Sequence, residues 1–197
     1  GQRFPLGAEP PATEAEKKTA IAAYAVAAER PLEIGRQLWM ARLALDGLNG
    51  VPHDFAEARR WFEKAATWGN GEALTRLGLL ALRGLGEPVD RVRAVMLSRK
   101  AAERGFPPAQ TGIGRLSWDG VGVPEDPAAA VAWWRLAAPR GELEARVGLA
   151  VALLRGRGAE RDEQKGRALL EEASRENREE VEALLAELDP EGGGPER

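Results

Sequence analysis

Four aspartates, Asp54, Asp90, Asp126 and Asp162, stand at a constant spacing of 36 residues. The same interval separates Ala65-Ala66, Ala101-Ala102 and Ala137-Ala138, with Ala173-Ser174 as a weakened fourth copy. It also separates Gly69, Gly105 and Gly141, with Asn177 in the fourth place, and then Gly84, Gly120 and Gly156. Gly47 stands one residue early because Asp46-Gly47-Leu48-Asn49-Gly50 carries a one-residue insertion. Several residue types held in one phase identify an internal repeat. A chain of this kind buries its apolar surface between stacked neighbouring units rather than around one centre.

Each copy reads as two helices. Leu74, Leu77, Gly78, Ala81 and Leu82 follow the i, i+3, i+4, i+7, i+8 stripe of an amphipathic helix. Gly84-Leu85-Gly86-Glu87-Pro88 breaks it, since glycine supplies positive φ and proline cannot donate to a helix. Asp90 then caps the next helix by accepting from its unpaired N–H groups, and Asp126 does so ahead of Pro127 at the first helical position. The second stripe runs Ala58, Trp61, Phe62, Ala65, Ala66 and, two copies later, Ala130, Trp133, Trp134, Ala137, Ala138. Gly69, Gly105 and Gly141 are expected to end these helices in the left-handed conformation, and Pro139 to shorten or bend the last turn of its own helix.

The pattern Leu77-Gly78-x-x-Ala81-x-x-Gly84-x-Gly86, followed by Asp90, Ala94 and Ala101-Ala102-x-x-Gly105, resembles the Sel1-like repeat. The third copy is similar again: Ala109-Gln110, Ile113-Gly114, Gly120-Val121-Gly122-Val123-Pro124-x-Asp126, Ala130-x-x-Trp133-Trp134 and Ala137-Ala138. Two departures stand out. The aromatic usual in the first helix is replaced by Ala44, Ala81, Ser117 and Leu153, and the fourth copy has Leu169-Leu170 in place of its Trp pair. The resemblance implies an all-α fold, a right-handed α-solenoid of about four 36-residue helix pairs related to the tetratricopeptide repeat. The repeats are expected near 34–70, 71–106, 107–142 and 143–177, within a solenoid spanning 13–189. Capping helices are expected at 13–30, opened by the capping box Thr13-Glu14-Ala15-Glu16, and at 178–188. Residues 1–12 and 190–197 read as a flexible leader and tail, and the total expected is ten helices with no sheet.

Composition narrows the chemistry. The chain has no cysteine, one histidine, and serine only at Ser98, Ser117 and Ser174. A thiolate nucleophile, a polyhistidine metal site and a serine-histidine relay therefore lack material, and the reading is not an enzyme, with no cofactor and no metal. His53 precedes a capping aspartate in a turn and has no second imidazole to work with. The Gly-rich segments at 84–86, 120–122 and 156–158 are repeat turns, because no Gly-Lys-Ser/Thr follows any of them. No run approaches the roughly 18 apolar residues of a membrane-spanning helix. The net charge is −3, but residues 157–197 hold 13 acids and 7 bases, so the acidic excess belongs to the C-terminal end. That end reads as a solvated cap on a terminal helix, expected to lie beyond the binding surface. Without a basic excess, nucleic acid is not the expected partner.

In a solenoid, residues off the packing stripe of the first helices face outward and are available to a ligand. That face carries Trp39, Arg42 and Asp46, then Arg76, Leu79 and Arg83, then Arg115 with Asp119, and finally Val151 with Arg155. Guanidinium forks suit carboxylates and phosphates, and an exposed tryptophan is a common interface anchor. The bland alternative is a solvated charged face with Arg42–Asp46 and Arg115–Asp119 paired at i,i+4. As a surface binder, Arg115 is expected to lose less than about 0.5 kcal/mol on truncation. Trp61, Trp118, Trp133 and Trp134 occupy core phases, with Trp133→Ala expected to cost about 3–5 kcal/mol. Trp39 and Trp68 lie off the core stripe and are contact candidates. The acidic side chains read as solvated, with no burial to shift their titration.

The resemblance implies a protein-protein interaction module that binds a partner protein or peptide through a concave groove, as a bacterial adaptor or scaffold. The alternative it implies is an immunity-type protein that inhibits a secreted toxin enzyme. Export to the periplasm is expected, with a cytoplasmic location as the alternative. The chain begins at Gly1 without an initiator Met, which predicts that processing or truncation removed a preceding segment. Oligomeric state is not readable from the residues.

Overall fold

The computed structural model describes residues 14–28, 33–47 and 52–189. The expected leader at 1–12 and tail at 190–197 lie outside them, as do Thr13 of the capping box and Leu48-Asn49-Gly50 of the first turn. Among the described residues there are nine α-helices and no strand. They are α1 (Glu14–Ala28), α2 (Ile34–Asp46), α3 (Phe55–Thr67), α4 (Gly71–Arg83), α5 (Arg91–Glu103), α6 (Pro107–Asp119), α7 (Pro127–Ala137), α8 (Leu143–Arg155) and α9 (Glu163–Leu188). The chain forms two compact units, residues 1–89 and 90–197. In the first, α1 packs on α2, α2 on α3 and α3 on α4. In the second, each helix from α5 to α9 packs on the next. The fold is an α-solenoid of helix pairs.

Backbone chemistry at the ends of the helices sets the repeat. Asp54, Asp90, Asp126 and Asp162 each accept from the N–H three residues on, at 2.9 Å in all four copies. The N–H groups of Asp54, Asp126 and Asp162 donate back to the carbonyls of Ala44, Ser117 and Leu153, which ties each turn to the helix before it. These are the positions where an aromatic is usual, and all three side chains are buried. Gly47, Gly84, Gly120 and Gly156 end the first helices in the left-handed region, at φ between 61° and 67°.

The second glycine of each Gly-x-Gly turn has a packing reason as well. A Cβ on Gly86 would lie 2.7 Å from the carbonyl carbon of Phe55, and one on Gly122 would lie 2.5 Å from the Arg91 oxygen. One on Gly158 would lie 2.3 Å from the Pro127 oxygen. Each of these glycines rests on the first residue of the second helix in the preceding copy, so the turns are also the seams between copies.

In the first unit the core is built on Trp61 and Phe62, both fully buried, with Leu74 and Leu77 of α4. Gln37 donates from Nε2 to the carbonyl of Ala28, the last residue of α1, at 3.1 Å. Gln110 makes the same bond to Ala102 in the second unit, at 3.2 Å. Both glutamines are buried, and both use an amide to satisfy an alanine carbonyl near the end of the preceding helix.

The second unit centres on Trp134, whose ring is fully buried between Gly114 of α6 and Gly148 of α8. Its Nε1–H donates to the Thr111 carbonyl at 3.3 Å, and its ring centroid lies 5.2 Å from that of Trp118. Trp133 differs from expectation: it is half-buried. Adjacent residues on a helix point about 100° apart, so only one member of the pair faces the interior. Val151, expected on the outward face, is buried instead, because α8 is covered by both α7 and α9.

Two helix ends depart from the regular unit. Pro139 holds α7 to 11 residues against 13 in α3 and α5, and residues 138–140 tighten into a 3₁₀ turn. At the end of the fourth copy, Asn177 takes an extended φ of −155° rather than the left-handed conformation of Gly69, Gly105 and Gly141. Its Oδ1 accepts from the Glu180 N–H at 3.2 Å, so a second helical segment starts where the first stops. The expected closing helix therefore continues α9 across a kink, and ten expected helices become nine elements.

Candidate functional site

The outward face of the first helices is held by ion pairs that reach from one copy to the next. In the first unit, Arg42 on α2 makes a bidentate pair with Glu72 on α4, at 2.7 Å from Nε and 2.5 Å from Nη2. It does not pair with Asp46, the i,i+4 partner expected from the sequence; Asp46 is exposed on the last turn of α2. Arg76 and Arg83 stand two turns apart on α4, both exposed, with no ion-pair partner among the described residues. Trp39 is half-buried on α2, and Trp68 is 52% exposed at the end of α3. His53 is a turn residue: its Nδ1–H donates to the Leu45 carbonyl at 2.7 Å and its ring stacks on Phe55.

In the second unit, Arg115 on α6 is a hub. It donates to Asp119 at 2.6 Å, to Glu144 on α8 at 3.4 Å and to Glu187 near the end of α9 at 3.3 Å. Arg155 at the end of α8 donates from Nε and Nη2 to Asp189 at 2.9 and 2.7 Å. The acidic end of α9 thus sits on the arginine face and not beyond it, contrary to expectation. The α9 segment after Asn177 is pinned by Val181 and Leu188, both buried in the core of this unit.

Burial and charge act on each other here. Burial pushes the Glu144 carboxyl above its ordinary value against the pull of Arg115, with the nearby Glu187 and Asp119 charges adding to the rise. This corrects the expectation that every acid is simply solvated. Burial works against the Arg115 charge, but the Asp119 bond and the three surrounding carboxylates hold the guanidinium above its ordinary value. Arg146, buried on α8, is matched by Glu176 on α9, whose carboxyl is held below its ordinary value by the bond from that guanidinium.

Arg115 is consequently structural, and its truncation leaves Glu144 partly buried without its cation. The expected cost of Arg115→Ala is about 1–2 kcal/mol, above the surface value expected from the sequence. Arg76→Ala, which breaks no pair, is expected to cost less than about 0.5 kcal/mol. Urea melts followed by circular dichroism separate the two; equal midpoints would show that the Arg115 hub contributes nothing.

Chemically the face is a row of arginines, of which Arg42, Arg115 and Arg155 hold carboxylates of this same chain. Among the described residues, no group of three or more histidines, aspartates and glutamates is placed to hold a metal, and no helix is long and apolar enough to cross a membrane. The family profile of the Sel1 repeat matches four times, at residues 37–70, 71–106, 107–141 and 143–177. The chain belongs to the Sel1 repeat family. A crystal structure of a protective antigen of uropathogenic Escherichia coli with an SLR fold is similar, at 32% identity and a TM-score of 0.75 over 80% of this chain. This chain spans 33% of that antigen's length. A Sel1 repeat protein from Oxalobacter formigenes is similar at 25% identity and a TM-score of 0.69, with 86% of this chain and 74% of that one covered. No curated protein matches significantly. Sel1 repeats generally mediate protein-protein interaction and form a repeat scaffold rather than a catalytic fold.

The inter-copy pairs escaped the sequence reading, although a signal for them exists. Arg42 and Arg115 share one phase of the repeat, and Glu72 and Glu144 share another, about 30 residues further on. Where the arginine is replaced by Leu79, the glutamate is also gone, replaced by Pro108.

Proposed function

We propose that this chain is an adaptor that holds another protein or peptide against the outward face of its first helices. The observation that supports this reading is the state of Arg76 and Arg83. Arg42, Arg115 and Arg155 are each neutralised by a carboxylate, while these two guanidiniums are exposed and unpaired among the described residues. Unpaired arginines on a rigid scaffold bind an acidic partner with little reorganisation, and Trp39 on the neighbouring helix adds aromatic contact area. A solvated face would need neither. The experiment is affinity capture from source lysate with wild type and an Arg76→Ala/Arg83→Ala variant of unchanged helicity. One specific protein is expected to be lost from the variant. Retention of the same proteins by both would overturn this face as the binding surface.

A further inference from the structure

A separate surface lies on the second helices α5 and α7, both within the unit of residues 90–197. The two run side by side. The turn before α7 seats Gly122 against the Arg91 carbonyl at the start of α5. At the other end, Arg140 donates to the Gly105 carbonyl just past α5, at 2.6 Å. Ala94, Val95, Ser98, Ala101 and Ala102 turn one side of α5 into the core. Opposite them stand Val92, Met96 and Lys100 at i, i+4 and i+8, and in the same phases α7 carries Ala128, Ala132 and Leu136. Val92, Met96 and Leu136 are each more than half exposed, so apolar side chains stand on the crests of both helices.

The charge around these crests is of one sign. Residues 91–104 and 127–140 hold seven bases and one acid, Glu103, whereas the equivalent stretches 55–68 and 163–176 hold six of each. One phase shows the change directly: it is Glu63 in the first copy and Glu171 in the fourth, but Arg99 and Arg135 in the second and third. Glu63 and Glu171 pair with Arg59 and Arg175 of their own helices. Arg99, Lys100 and Arg135 are exposed and have no carboxylate partner among the described residues. We infer that this face of α5 and α7 docks on a bilayer surface bearing anionic headgroups, with Val92, Met96 and Leu136 entering the headgroup region. Cations flanking exposed apolar side chains supply the two attractions that peripheral attachment combines, one to anionic headgroups and one to the acyl boundary. Because the apolar side chains stand on crests and not in a groove, a folded partner would need a pocket for each. A fluid surface conforms to them. None of these side chains belongs to the first-helix face, so the two surfaces are tested separately.

The probe is a phosphatidylcholine vesicle with about one third phosphatidylglycerol, mixed with the full chain and read by flotation. Binding that weakens with added salt is expected, and none to phosphatidylcholine alone. Arg99→Glu/Arg135→Glu should weaken binding about thirtyfold or more, since each basic residue at an anionic surface contributes about fivefold. Met96→Gln/Leu136→Gln should weaken it about fivefold or more and leave its salt dependence unchanged, which a purely electrostatic contact would not show. All four positions are exposed, and both variants are compared at unchanged helicity. Arg76→Ala/Arg83→Ala should bind vesicles as wild type does. Absence of binding at millimolar lipid, equal binding to neutral vesicles, or wild-type affinity in either of the first two variants would each overturn the assignment. Loss of vesicle binding in Arg76→Ala/Arg83→Ala would move the contact to the first helices and overturn it too. If vesicles fail while Arg99→Glu/Arg135→Glu loses a protein that wild type captures, the face belongs to an acidic protein and the bilayer is overturned.

Discussion

Trp134→Ala is expected to lower stability by about 3–5 kcal/mol. The ring is fully buried, and a Cβ added at Gly114 or Gly148 would approach it to 2.5 or 2.8 Å. Helix backbone at Gly114 and Gly148 therefore lines part of its space, and backbone held by i→i−4 hydrogen bonds cannot collapse into a void as flexible side chains would. Truncation also leaves the Thr111 carbonyl without the indole N–H and removes the contact with Trp118. Trp133→Ala is the internal control. Its side chain is half-buried, so the loss should be nearer ~1 kcal/mol, against the ~3–5 kcal/mol expected of it from repeat phase alone. Urea unfolding followed by far-UV circular dichroism measures both. Losses of equal size would mean that α7 is rotated relative to this packing.

How legible a feature was in the sequence tracks how local its cause is. The aspartate caps, the left-handed glycines and the Pro139 shortening each depend on a residue and its neighbours within one turn, and their repetition every 36 residues multiplied a weak signal. Asn177 is local too, yet it misled. Both left-handed C-capping and N-capping suit asparagine, and the acidic helix former that follows, with Glu180 offering its N–H, decided for the second. The choice between Trp133 and Trp134 depends on the rotation of a helix against two neighbours, to which a repeat phase shared by both is blind. The candidate site was legible only as a stripe. Which arginines are occupied is decided by Glu72, Glu144, Glu187 and Asp189, each about 30 or more residues from its cation. An exposed acid at the end of a helix reads as solvated until the fold brings it onto another helix, and that is why the role of α9 is invisible in the residues alone.

Gly122→Ala is expected to cost about 2–4 kcal/mol, although it adds a single methyl group. At φ +75° an alanine suffers the clash of its Cβ with its own backbone. In addition that Cβ would lie 2.5 Å from the Arg91 oxygen and 2.8 Å from its carbonyl carbon. These are backbone atoms at the start of α5, next to the cap bond from Arg93 N–H to Asp90, so relief requires the seam to open rather than a side chain to turn. Gly112→Ala separates this cause from a general effect of replacing glycine. Gly112 lies inside α6, and a methyl group there would meet nothing within 4 Å, so alanine should stabilise by about 0.5–1 kcal/mol through helix propensity. Thermal melts of the two variants should therefore move in opposite directions. A Gly122→Ala protein as stable as wild type would show that the second glycine of the turn is needed only as a flexible link, and that the copies of this solenoid are not seated on one another through it.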